Sequence, residues 1–309
     1  MAIWRRWLKE DFLLVSLLFV GSERRVRTLY DACSHNYFTE HSHFLNLGYW
    51  KDSPDTLDAA CEALANLVGE AGEFNPSDII LDAGCGMGDQ DVFWLQRFSP
   101  TRIIGLNIAP SQIDFARKQA AERRLEERLE FRVGSATDLP FESESFDKVA
   151  AVESAFHFNT REAFFNEAFR VLRPGGRLVT ADLIALPHAV PLQRKDRTLK
   201  RRAIEFSVAI SRKVMPTPVE NIYARPGYAR KMEEAGFVNA RVETIREEVF
   251  EPFMSYLGRR VHDSDIKQRV NPLFRRLCQN MMAKPERSMT KTIISDSDYV
   301  IATADKPSR

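Results

Sequence analysis

From residue 56 to residue 182 the chain alternates between segments with helical spacing and short, continuously apolar runs. Leu57, Ala60, Leu64 and Leu67 recur at helical spacing between Thr56 and Glu70. Asp78-Ile79-Ile80-Leu81-Asp82-Ala83 then reads as a buried parallel strand, and Gln90-Asp91-Val92-Phe93-Trp94-Leu95 as a helix. Strands are predicted again at Arg102–Asn107, Leu129–Val133, Phe146–Val152 and Arg177–Asp182. Between them lie a helix from Ser111 to Arg124, opened by Pro110, and one from Arg161 to Leu172 with Phe164, Phe165, Ala168 and Val171 inward. Arg173-Pro174-Gly175-Gly176 stops the latter. Strands and helices alternating at this spacing mean parallel βαβ units with right-handed crossovers.

The rhythm breaks between Leu183 and Tyr223. A helix is predicted from Arg194 to Lys213, with Leu199, Ala203, Phe206 and Ile210 on one stripe. It carries eight Lys or Arg residues and two acids, and Pro216 and Pro218 end it. An insertion at this point rises over the carboxyl edge of the sheet, where open α/β folds bind ligands. Alternation resumes with a helix at Pro226–Ala235, a stop at Gly236 and a strand at Val238–Thr244. Glu251 to Ala283 reads as mostly helical, and Tyr299–Ala304 as a last strand.

The N-terminus follows a different pattern. Trp4, Trp7, Leu8 and Phe12 share a helical face beside Arg5, Arg6 and Lys9. Phe12 to Val20 is apolar except for Ser16, but nine residues fall short of the roughly 20 a spanning helix needs. Glu10 and Asp11 interrupt the basic region and no small-x-small site follows, which argues against a secretory signal. Two readings stay open for residues 1–20: a helix packed on its own domain or on a second subunit as a homodimer, and an interfacial helix resting on a membrane. Aromatic residues then crowd Glu23–Trp50, among them Tyr30, Tyr37, Phe38, Phe44, Tyr49 and Trp50. The division expected is a helical and aromatic segment over 1–50 and a main domain over 51–309, with a helical lid insertion over 184–225.

Composition adds bounds. The 309 residues are 44% hydrophobic and 28% charged, enough for a packed core without global disorder. A formal net charge of +1 calls for no polyanionic partner, so nucleic acid is not expected. Cys33, Cys61, Cys85 and Cys278 are widely spaced, which fits a reducing, cytoplasmic setting and offers no metal site.

The chemistry concentrates after the first strand. Gly84, Gly86 and Gly88 form a strand-to-helix turn in which glycine lets backbone approach a ligand, and the following helix N-terminus suits that ligand's negative end. Leu81-Asp82-Ala83-Gly84-Cys85-Gly86-Met87-Gly88 resembles the first motif of class I S-adenosylmethionine-dependent methyltransferases. Asp138-Leu139-Pro140-Phe141, Glu153-Ser154-Ala155-Phe156-His157-Phe158 and Arg170-Val171-Leu172-Arg173-Pro174-Gly175-Gly176 extend it to the ubiquinone, sterol and natural-product group.

That resemblance implies a Rossmann-like sheet of seven strands, mostly parallel and flanked by helices, its last strand antiparallel beside the sixth. It implies S-adenosyl-L-methionine held by Asp82, Gly84, Cys85, Gly86 and Gly88 at the amino-acid end. Asn107, Ile108 and Gln112 fall at the ribose, where an acid is usual and an amide can accept one hydroxyl and donate to the other. Ser135 and Ala136 fall at the adenine, and Glu153 closes the cofactor set. His157 and Asp182, at the ends of neighbouring strands, are the candidate catalytic pair: a base of suitable pKa or a group that holds the acceptor's nucleophile, and a carboxylate that orients it or a substrate hydroxyl. Tyr37, Tyr49, Trp50, Phe156 and Phe206 are the candidate acceptor walls. The activity implied is methyl transfer to a largely apolar small molecule such as a polyketide, quinone or isoprenoid, in natural-product biosynthesis. Alternatives are a lipid or sterol methyltransferase at a membrane surface, and a cyclase or regulatory subunit on the same fold, favoured if His157 and Asp182 face away from the cavity.

Overall fold

Burial on both faces explains the continuous apolar runs. In the computed structural model, which describes residues 26–27, 38–190, 216–270, 272, 275, 276, 279 and 294–308, consecutive strand residues enter two separate cores. Ile80, Ile103, Ala150 and Val179 pack with Leu57, Leu64, Val68 and Trp94 on one side. Leu81, Ile104, Val149 and Leu178 pack with Phe164, Phe165, Tyr228 and Met232 on the other. Period-two alternation thus has an apolar partner on each face of the central strands. Residues 1–20, Tyr37 and the predicted helix Arg194–Lys213 with Phe206 lie outside the described residues.

The elements in chain order are α1 (Leu57–Ala71), β1 (Ile79–Ala83), α2 (Asp89–Phe98), β2 (Arg102–Asn107), α3 (Pro110–Glu122), β3 (Leu129–Val133) and β4 (Phe146–Val152). Then follow α4 (Arg161–Val171), β5 (Leu172–Ala185), α5 (Arg225–Glu234), β6 (Val238–Thr244), α6 (Arg246–Arg260), α7 (Ser264–Arg269) and β7 (Ser297–Asp305). The seven strands order as β3-β2-β1-β4-β5-β7-β6. β1 to β5 are mutually parallel, and β7 runs antiparallel between β5 and β6. The fold is the seven-stranded, mostly parallel, Rossmann-like sheet that the resemblance implied.

Two boundaries differ from the pattern for identifiable reasons. β5 begins at Leu172 and runs to Ala185, beyond the predicted Arg177–Asp182, because β7 continues its ladder as far as Ala185↔Ser297 and Leu172 pairs with Phe146. The predicted helix over 251–283 starts earlier, at Arg246, and is broken after Arg260; Arg260 turns back to bond Asp263 and Asp265 across the break. Elsewhere local chemistry sets the ends. Thr56 and Thr160 cap α1 and α4 by accepting from the amides of Ala59 and Ala163. Reversal of strand order between β1/β2 and β1/β4 opens a crevice at the carboxyl ends of these strands.

Candidate active site

That crevice holds a cavity of about 990 Å³, mouth included, bounded by the glycine turn, the ends of β2 and β4, and residues 43–46. All three glycines of the turn are left-handed, with φ of +91° at Gly84, +56° at Gly86 and +82° at Gly88. They serve different ends. A Cβ on Gly84 would sit 2.4 Å from the Ser154 Cβ, and one on Gly88 2.7 Å from the Phe131 ring. On Gly86 it would meet only the tip of Leu45, at 3.3 Å. Gly84 and Gly88 therefore let the turn pack, while Gly86 keeps the cavity floor bare.

Asp82 is the first correction. It is fully buried and does not line the cavity. Its Oδ2 accepts from Gln90 Nε2 at 2.5 Å, and its carboxyl faces that of Asp91, also fully buried. Burial raises the Asp82 pKa to about 7 and that of Asp91 well above the ordinary value. A proton held between the two carboxyls would join Asp82 Oδ1 to one Asp91 oxygen, atoms that otherwise have no hydrogen-bond partner among the described residues. The pair lies beneath the turn and braces it through Gln90, which does reach the cavity. Gln90 and Asp91 follow the motif by two and three positions, inside a helix whose pattern marked only its apolar face.

Asn107, Ile108 and Gln112 line the neighbouring wall at the end of β2. Asn107 Nδ2 donates to Gln112 Oε1 at 2.6 Å, which fixes both amides. Gln112 Nε2 is left buried, without a hydrogen-bond partner among the described residues. Ser135 and Ala136 also line the cavity, although the Ser135 hydroxyl is taken up within its own turn by Thr137 Oγ1 at 2.9 Å. Glu153, at a left-handed φ of +47°, stands on the cavity wall, and its Oε1 accepts from Leu47 N and Tyr299 Oη, both at 2.7 Å. Burial raises its pKa to about 7. The Leu47 bond draws the aromatic segment across the cavity.

Of the candidate acceptor residues, Tyr49, Trp50 and Phe156 do not line this cavity. Trp50 is in the core, its ring nitrogen donating to Leu47 O at 2.9 Å and its ring against Tyr256. The Tyr49 amide bonds Ala60 O on α1. Phe156 is buried beside His157 and off the cavity wall. His43, Phe44, Leu45, Asn46 and Phe158 occupy the wall instead.

His157 lines the cavity from the one-turn helix Ala155–His157. Its Nδ1 lies 2.6 Å from Pro216 O. A carbonyl only accepts, so Nδ1 carries the proton and Nε2 is the basic nitrogen of the neutral ring. Burial lowers its pKa to about 4, the Pro216 bond opposing, so the ring is neutral at pH 7.

Asp182, predicted to orient this ring, does not. Its carboxylate pairs with Arg161 Nε at 2.9 Å, both side chains fully buried. It also accepts from the amides of Phe156 and Leu183 and from Tyr228 Oη. The register does bring Asp182 to the carboxyl edge, but a guanidinium 21 positions earlier claims it. Among the described residues, no three His, Cys, Asp or Glu side chains are arranged to hold a metal.

Fold and cavity together define a small-molecule methyl-transfer enzyme, and comparison with known proteins agrees. Residues 81–180, β1 into β5, match the family described as a methyltransferase domain. The chain belongs to the class I S-adenosylmethionine-dependent methyltransferases. It is 39% identical over 296 residues to the erythromycin 3''-O-methyltransferase of Saccharopolyspora erythraea, covering 93% of this chain and 92% of that one. Among solved structures, the cyclase SpnF superposes with a TM-score of 0.71 at 22% identity, over 94% of this chain and 98% of its own. The geranyl diphosphate C-methyltransferase of Streptomyces coelicolor A3(2), solved with S-adenosyl-L-homocysteine, gives 0.60 at 22% identity over 81% of each chain. The enzyme uses S-adenosylmethionine, and its cavity fits that molecule on two counts. Bare floor at Gly86 admits an amino-acid end, and the buried Gln112 Nε2 requires an acceptor such as a ribose hydroxyl.

Proposed function

We propose that this enzyme methylates a hydroxyl group of a largely apolar, polyketide-type natural product, with His157 as the general base. The observation that carries the reading is the His157 ring, neutral and with Nε2 as its basic nitrogen, on the cavity wall. The 39% relative's O-methylation of erythromycin supports oxygen as the accepting atom. When bound, S-adenosylmethionine supplies an electrophilic methyl group on sulfur. Gly84, Cys85 and Gly86 would hold its amino-acid end, with Gly88 acting through the packing of the turn and Asp82 from below through Gln90. Asn107 Oδ1 and Gln112 Nε2 would accept from one ribose hydroxyl and donate to the other beside Ile108, Ser135 and Ala136 would flank the adenine, and Glu153 would complete the set. His157 Nε2 would take the hydroxyl proton as the oxygen–carbon bond forms, a contribution of roughly 10²–10⁴-fold. The rest of the acceleration is positioning of the two reactants.

The same reading makes residues 1–50 and the insertion 184–225 the walls of the acceptor chamber. Cytoplasmic location, pairing as a homodimer and a peripheral membrane contact through residues 1–20 are proposed on sequence grounds. Among the described residues no helix is long and apolar enough to cross a membrane.

The test is formation of S-adenosylhomocysteine, followed by mass spectrometry, with erythromycin-type macrolides bearing free hydroxyls as acceptors. His157→Ala should lower turnover about 100-fold or more, with cofactor affinity by calorimetry unchanged. Full turnover in that variant would reduce catalysis to proximity alone.

A further inference from the structure

Asn221 is a polar side chain in the interior, 2% exposed, in the one-turn helix Val219–Asn221. Every hydrogen-bonding atom of its amide is engaged. Nδ2 donates to Phe156 O at 3.1 Å and to Phe158 O at 2.8 Å. Oδ1 accepts from the Arg161 amide at 2.9 Å. The Asn221 carbonyl accepts from Arg161 Nη1 at 2.8 Å. The two carbonyls taken by Nδ2 are those immediately before and after His157.

From the other direction, the segment that carries Asn221 also holds Pro216, whose carbonyl accepts from His157 Nδ1. The loop and the segment are thus joined three times around one imidazole: at the backbone on each side of it, and at the ring itself. Only an amide does this. It offers two N–H groups to two carbonyls and one carbonyl to an amide, whereas a carboxylate would repel both carbonyls and an aliphatic chain would leave all three groups unpaired.

We infer that Asn221 is the positioning residue of the reaction: it clamps the His157 loop to the Pro216 segment and thereby selects the ring form with the proton on Nδ1 and Nε2 as the basic nitrogen. An imidazole in water prefers the opposite form, so the selection has to be imposed by the Pro216 bond. The functional half of this inference rests on His157 being the base; the structural half does not.

The experiment uses uniformly ¹⁵N-histidine-labelled enzyme at neutral pH and long-range ¹H–¹⁵N correlation, with His157 assigned by its loss in His157→Ala. In the unmodified enzyme His157 should show the Nδ1–H pattern; an Nε2–H pattern overturns the inference before any variant is made. In Asn221→Ala the population should shift toward Nε2–H, with kcat falling about 10–100-fold and KM for S-adenosylmethionine within about twofold of the parent. Asn221→Ser, smaller than Asn but keeping one donor, should lie between, and stands in if the alanine variant fails to fold. A folded variant that retains the Nδ1–H pattern overturns the inference, whatever its rate. A shifted tautomer with full kcat upholds the clamp and overturns His157 as the base.

Discussion

Asp182→Asn separates a structural carboxylate from a catalytic one. In the folded enzyme Asp182 Oδ2 lies 2.9 Å from Arg161 Nε in an ion pair and accepts from Tyr228 Oη at 3.1 Å. An asparagine can leave its carbonyl at Oδ1, where the Phe156 and Leu183 amides donate, but its NH₂ then faces the guanidinium. Tyr228 can rotate its hydroxyl to adapt; Arg161, fully buried and flanked by the rings of Tyr223 and Tyr228 at 4.9 and 5.1 Å, pairs with no other anion among the described residues. Removing one partner of such a pair costs about 3–5 kcal/mol, mostly from the buried charge left behind. At about 2.1 cal/mol/K of unfolding entropy per residue, the 309 residues give about 650 cal/mol/K. The melting temperature should therefore fall by about 5–8 °C. Differential scanning calorimetry reads the stability, and S-adenosylhomocysteine formation well below the transition reads the chemistry. A variant that melts within about 1 °C of the parent yet loses turnover a hundredfold or more would mean that Asp182 acts on the reactants and that its ion pair is incidental.

Gly86→Val should leave the enzyme folded, losing about 1–3 kcal/mol to the left-handed backbone, while calorimetry shows S-adenosylmethionine binding weakened at least a hundredfold. Gly84→Ala, with its Cβ 2.4 Å from that of Ser154, should instead lower thermal stability more than Gly86→Val does; equal stabilities would refute the division of labour between these glycines. For the buried pair the sign follows from proton binding: the unfolded Asp pKa is about 3.9 and the folded Asp82 pKa about 7. The folded state thus holds the extra proton across that window, and this pair's contribution to stability falls as pH rises through it, then levels. Asp91→Asn, which supplies a donor that cannot ionise, should flatten the decline in melting temperature between about pH 4 and 7, and an unchanged slope would rule out the shared proton.

Much of this was legible along the chain, for physical reasons. Strands buried on both faces announce themselves as unbroken apolar runs, and a turn that must approach a ligand needs glycine whatever surrounds it. Asn107 and Gln112 were legible because five residues bring the end of β2 and the first turn of α3 together. What sequence could not give was partnership across long separations. Asp182 stands where a catalytic carboxylate would stand, and only Arg161, folded back from the start of α4, shows that its charge is spent. Trp50 and Tyr49 look like pocket aromatics until α6 and α1 are laid against them. Asn221 lies in a stretch whose pattern is broken by prolines, and its value comes from two carbonyls more than sixty residues away.

The position of β7 has a consequence during synthesis of the chain. β6 pairs with β7 alone, and β7 fills the place between β6 and β5. Strands β1 to β5 can assemble as each leaves the ribosome, but the 111 residues between Ala185 and Ser297 must be made before β5 is covered. At about 5–20 residues per second that interval is roughly 6–22 seconds. Throughout it a 14-residue strand carrying Leu178, Val179 and Ile184 presents an open edge to other nascent chains. Slower translation through residues 186–296 should therefore lower the yield of folded enzyme even where the stability of the finished sheet is unchanged.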